Sequence, residues 1–123
     1  MRFLLQRDRI DRDHADITAL MHRIREASDA EDFQLTIGLL IELQALEEAH
    51  YASEETLMID AGFWMHSEHR AEHAQLIDTL RSINQALLSE NCRAASPSIA
   101  AHLEAALQHI RESDTRMWAH VDS

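Results

Sequence analysis

Five histidines, one glutamate and one aspartate fall at spacings suited to metal ligation: His14, then His50 with Glu54, His69 with His73, and His109 with Asp114. A step of four residues puts two side chains on one helical face, one turn apart. Imidazole suits iron, zinc and copper, while carboxylates can bridge two cations and offset their charge. Four separate segments, each supplying one or two such groups, describe a bundle that closes around a dinuclear centre.

The elements that must position these groups are legible as apolar stripes of helical period. The first carries Ile10, His14, Ile17, Met21 and Ile24, and the second Leu39, Leu43, Leu46, His50, Glu54 and Leu57. The third runs His69, His73, Leu76, Leu80, Ile83 and Leu87, and the last Leu103, Leu107, Ile110, Asp114, Met117 and Val121. Ser28-Asp29-Ala30-Glu31 reads as a capping box opening the second helix, and Gly62 as its stop. Ser89 to Ser96 reads as a polar loop, with Ser96-Pro97 starting the fourth helix. Two glycines and one proline leave few residues for β-turns. The expectation is all-α: an up-down-up-down antiparallel four-helix bundle, one domain over residues 1–123. Six candidate ligands (His14, His50, Glu54, His69, His73, Asp114) sit within the stripes where leucine would be expected. Buried polar groups without partners cost about 2–7 kcal/mol each, and a shared metal pair would serve all of them.

Other residues read more plainly. His22, His66, His102 and His120 do not complete the pattern and are expected on solvated faces, as are Glu42, Glu48, Glu55 and Asp78. Met21, Met58, Met65 and Met117 are expected to fill core gaps. Glu47-x-x-His50 resembles the Glu-x-x-His element of di-iron carboxylate bundles, but Ala106 denies His109 the same element, so a histidine-rich site is favoured.

The net charge of −11 excludes a phosphate-neutralising surface, so nucleic acid is not an expected partner. The one cysteine, Cys92, cannot form an internal disulfide and reads as an incidental thiol. Phe3-Leu4-Leu5 is too short for a signal core or membrane span. A soluble cytoplasmic protein without membrane contact is expected.

The segment His50-Tyr-Ala-Ser-Glu54-Glu-Thr-Leu-Met58 closely resembles the H[FY]xxEExLM signature of hemerythrins, specifically the short single-domain bacterial type. Their HxxxH is matched by His69 and His73, their HxxxxD by His109 to Asp114, and their first-helix I-D-x-x-H by Ile10 to His14. The resemblance covers nearly the whole chain. It implies two iron ions (Fe2+/Fe3+): one held by His69, His73 and His109, the other by His14 and His50. Glu54 and Asp114 would bridge them together with an oxo or hydroxo group. One iron would then keep an open position for dioxygen, the implied ligand.

Two features depart from the usual pattern. His109 and Asp114 stand about 140° apart on an ideal helix, so they reach a common metal pair if the centre lies between them or if the helix is locally widened, as by a π-bulge. Ala105 replaces a tryptophan that many members carry four residues before the last-helix histidine, and Ala106 follows it. The resulting gas pocket, with Ile110, Leu57 and Met21 as further lining, is expected to be roomier than usual. Reversible dioxygen binding for storage, transport or sensing is the leading reading, with no enzymatic role. A di-iron oxidase or peroxidase and a metal store or structural zinc protein are the alternatives. A redox or signalling protein partner is left unnamed.

Overall fold

The computed structural model describes residues 3–89 and 92–122, with four helices: α1 (Leu4–Asp29), α2 (Phe33–Asp60), α3 (His66–Leu88) and α4 (Cys92–Val121). Among the described residues there is no strand. Each helix packs on its neighbour in sequence and α4 closes back on α1, the arrangement of an antiparallel bundle with short connections.

The apolar stripes condense into two clusters rather than one. The larger joins Ile17, Leu20 and Ile24 of α1 to Leu39, Leu40 and Leu43 of α2, Leu76 to Leu87 of α3, and Ile99 to Ala106 of α4. The smaller gathers Ile10, Leu57, Met58, Phe63 and Met117, with Phe3, Met65, Trp118 and Val121 against it. In α1 and α4 the candidate ligands fall between the residues of one cluster and those of the other, in α2 they lie where the two clusters meet, and α3 begins at the ligands and runs into the larger cluster. The bundle is thus two dry layers flanking a polar one. Met21, Met58 and Met117 are buried and Met65 is partly so, as expected of gap fillers.

Two predicted boundaries move. α1 runs through Ser28 to Asp29, and the cap of α2 is Asp32, whose side chain accepts from the Leu35 amide at 3.2 Å. The chain turns between them at Glu31, whose φ of 56° allows Glu31 N–H to reach Ser28 O and Asp32 N–H to reach Ala27 O. This is the bonding of a Schellman stop, which the capping-box reading overlooked because glutamate is a poor residue for it. Gly62, at φ 67°, makes the predicted stop: Phe63 N–H bonds Met58 O, and Gly62 N–H bonds Ile59 O. At the far side α4 begins at Cys92, so Pro97 lies inside the helix and forgoes one bond to the preceding turn. Of the expected Ser89–Ser96 loop, Glu90 and Asn91 fall outside the described residues, as does the side chain of Cys92.

The left-handed conformation costs a residue with a Cβ about 1–2 kcal/mol. Glu31 gives back little of this through its exposed ion pair with Arg93. Glu31→Gly is expected to stabilise the fold by about 0.5–1 kcal/mol, read as a higher urea midpoint with unchanged slope.

Candidate metal centre

The polar layer brings all seven predicted ligands together. Six are buried, and His14 is half-buried. They form two overlapping groups: Glu54, His69, His73, His109 and Asp114 in one, and His14, His50, Glu54 and Asp114 in the other. Within each, one ligand atom per residue lies within 4.8 Å of every other.

The two carboxylates belong to both groups because each divides its oxygens. Glu54 turns Oε1 to His69 at 3.3 Å and His73 at 3.0 Å, and Oε2 to His14 at 3.3 Å and His50 at 3.0 Å. Asp114 turns Oδ1 to His69 at 3.0 Å and His109 at 3.1 Å, and Oδ2 to His14 at 2.9 Å. Every histidine presents Nε2 to this layer. Two ligands about 2.1 Å from one cation and at right angles stand about 3.0 Å apart, close to these separations.

The contacts are poor substitutes for hydrogen bonds. His14 Nε2, His50 Nε2, Glu54 Oε2 and both Asp114 oxygens are buried without a properly aligned partner among the described residues, although other ligand atoms lie close by. His73 Nε2 and His109 Nε2 face one another at 3.0 Å. Atoms aimed at common points between them, rather than at each other, are the donor set a cation would satisfy.

The outward nitrogens of His50 and His73 are held by groups the sequence pattern did not single out. His50 Nδ1 donates to Asp13 at 3.2 Å and His73 Nδ1 to Glu55 at 3.3 Å, while Glu72 stands 3.6 Å from His109 Nδ1. A carboxylate on Nδ1–H fixes the tautomer that leaves Nε2 free to ligate. Glu55 is therefore not merely solvated. Asp13 adjoins His14 in the first-helix motif, a signal that was available. Tyr51 stacks on His73 with ring centroids 4.0 Å apart. Burial, with the charges of Glu47, Glu54 and Asp114, pushes its phenol pKa up.

Several expectations need correction. α4 stays α-helical throughout Leu107 to Met117, so no π-bulge is needed. The Asp114 carboxylate reaches His109 from the next turn, at 3.1 Å. His102 is buried, not solvated, and its Nε2 lies 3.4 Å from buried Glu47. Glu47 therefore serves His102 rather than the Glu-x-x-His role. His22 is exposed as expected, but His66 bonds Phe63 O, and His120 bonds Ala61 O. The five suggested pocket residues lie at different depths. Ala106 and Met21 pack in the larger cluster and Leu57 in the smaller; Ile110 is half-buried. Ala105 is exposed and lines a cleft of about 440 Å³ between α3 and α4 that also reaches His109.

Four helices that carry imidazoles and carboxylates into one buried layer define a helical bundle of the metal-cation-binding class. The profile of the hemerythrin HHE cation binding domain matches residues 6–120, and the chain belongs to this family. No match was found among curated proteins or solved structures.

Without a cation the layer is held by protons. Burial lowers His14, but Asp114 and Glu54 beside it outweigh that and raise its pKa from 6.5 to about 9; the same balance brings His69 to about 9. Burial raises Glu54, yet the imidazoles of His14, His50, His69 and His73 hold its carboxyl well below 4.5. Asp114 is likewise lowered by His109, His14 and His69 against its burial. The raised histidines stabilise the fold fully below pH 6.5, a contribution lost as pH rises through about 9. The lowered carboxylates contribute above their ordinary values and lose this as the pH falls through their depressed ones. The metal-free protein should therefore lose thermal stability between pH 6.5 and 9, and the metal-loaded protein, whose imidazoles are already deprotonated, should not. Parallel melting profiles of the two forms across that window would contradict this assignment.

Proposed function

We propose that this protein is a non-haem di-iron protein that binds dioxygen reversibly. The observation that carries the reading is the division of each bridging carboxylate's oxygens between a three-histidine and a two-histidine group. His69, His73 and His109 would hold one iron, His14 and His50 the other, and Glu54 and Asp114 would bridge them. His69, His73 and His109 with one oxygen of each carboxylate would give the first iron five protein ligands. His14 and His50 would give the second iron one imidazole fewer, which would leave room there for dioxygen. A closed tetrahedral zinc site would have no use for this unequal set.

When bound, the iron pair supplies the electrons that make dioxygen binding possible. The chain's own residues do the rest. Asp13 and Glu55 keep His50 and His73 in the ligating tautomer. The apolar clusters on either side limit water at the centre. The partly exposed side chain of His14 makes the two-histidine side the less enclosed one.

The acidic chain and the absence, among the described residues, of any helix long and apolar enough to cross a membrane fit a binding protein free in the cytoplasm. A second reading, turnover of peroxide or a small molecule on the same scaffold, draws support from the cleft that reaches His109.

Reduced anaerobically and loaded with iron, the protein should give a coloured adduct on admission of air that disappears under argon over repeated cycles. One turnover ending in ferric protein, accelerated by peroxide, would favour the enzyme instead. Absence of any spectral response would remove both readings. Glu54→Ala should lose at least one iron per chain, and unaltered dioxygen binding in that variant would defeat its bridging role.

A further inference from the structure

A surface helix ordinarily turns a polar face to solvent, and α2 does not. Opposite the side that brings Leu39, Leu43, His50, Glu54 and Leu57 to the interior, it exposes Gly38, Ile41, Ala45, Ala49, Ala52 and Ile59. These recur in steps of three and four along one face, with Thr56 the one polar side chain among them. Ile41 and Ile59 are 53% and 60% exposed, and the space where a side chain would begin at Gly38 is open. α1, by contrast, turns Asp8, Arg12, Asp16, Arg23 and Glu26 outward. A chain that stays alone gains nothing from an uncharged outer face on α2.

The stripe runs about 30 Å along the helix and is about 10 Å wide. At roughly 300 Å² it reaches the size at which a contiguous apolar patch marks a contact surface. Its shape suits one kind of contact, because an apolar seam at heptad spacing receives the matching seam of another helix.

Charge decides which helix. Glu42 and Asp60 edge the stripe on one side, Glu48 and Glu55 on the other, and α2 has no lysine or arginine. Arg81 and Arg70 of α3 engage Glu48 and Glu55 at 3.0 Å. Glu42 and Asp60 pair with no cation among the described residues. A second copy of this chain would set acid against acid, in a protein already at −11. A helix with lysine or arginine beside its seam would meet opposite charge instead. Glu55 also accepts from His73 Nδ1 at 3.3 Å, so a helix seated there lies one side chain away from the metal layer.

We propose that the outer face of α2 is the docking surface for an amphipathic helix of another protein, one whose apolar seam is flanked by lysine or arginine. The stripe supplies the contact area, and Glu42 and Asp60 select the partner by charge. A contact of this size is transient. It holds whichever metal the centre carries, and whether or not the centre binds dioxygen.

The probe is a synthetic helix of about 28 residues, with alanine and leucine at its heptad core positions and lysine at the flanking ones. Anisotropy of a fluorophore on the peptide should show saturable binding, and the same peptide with glutamate for lysine should bind at least about tenfold more weakly. Ala45→Glu combined with Ala52→Glu adds acid but interrupts the stripe, at exposed positions where the melting temperature should hardly move. This variant should weaken the lysine peptide at least about tenfold. Glu42→Lys combined with Asp60→Lys should reverse the preference between the two peptides. Equal affinity for both peptides, or no binding of either, would overturn the proposal. Tighter binding of the lysine peptide by the Ala45→Glu, Ala52→Glu variant would also overturn it, since the association would then be charge alone. So would a dimer in sedimentation that the same variant returns to monomer, because a second copy would then cover the face. Metal uptake measured on each variant keeps this test apart from the metal centre, which the substitutions do not touch.

Discussion

The structure depends on two carboxylates shared among five imidazoles in a layer that water scarcely reaches. Glu54 and Asp114 are both essentially inaccessible, and either alone would be a costly buried charge. Surrounded by His14, His50, His69, His73 and His109, they stay ionised at the expense of those rings, which take up protons or a cation. That exchange couples folding to metal binding. The layer tolerates positive charge only at its centre, and each of the four helices must be in register to deliver its share.

The two apolar clusters make that register possible. α1, α2 and α4 pass from one cluster through the layer to the other, and α3 starts at the layer and runs into the larger cluster. A shift of one helix by a turn would bury polar groups in leucine and withdraw ligands from the centre. Asp13 and Glu55 extend the order outward by accepting from the outer nitrogens of His50 and His73. Much of the chain's acidity is therefore not spread evenly as a solubilising coat, and part of it orients the ligands. The α3–α4 groove is the exception to the closed layer, because Ala105 leaves it open down to His109.

The fold was legible in the sequence because its stripes are long and glycine and proline are scarce. The grouping of the seven ligands was legible too, since a polar residue inside an apolar stripe must find a buried partner, and the stripes of all four helices face one core. What escaped were features that depend on neighbouring helices. His102 sits on the side of α4 that meets Glu47 of α2, and no pattern within either helix announces that meeting. Glu55 looked solvated because its partner, His73, belongs to α3. The end of α1 escaped because Glu31 adopts a conformation its side chain disfavours, so the usual glycine signal was missing. The suspected π-bulge came from treating His109 and Asp114 as points on a cylinder. Side chains of different length reach one place from an undistorted helix.

The central claim is that Glu54 and Asp114 each span two cations. Anomalous diffraction at the iron edge, from crystals of the iron-loaded protein, tests it most directly. The account predicts two peaks per chain about 3.5 Å apart, one beside His69, His73 and His109 and the other beside His14 and His50, with both carboxylates between them. A single peak, or two peaks that do not share Glu54 and Asp114, would contradict it.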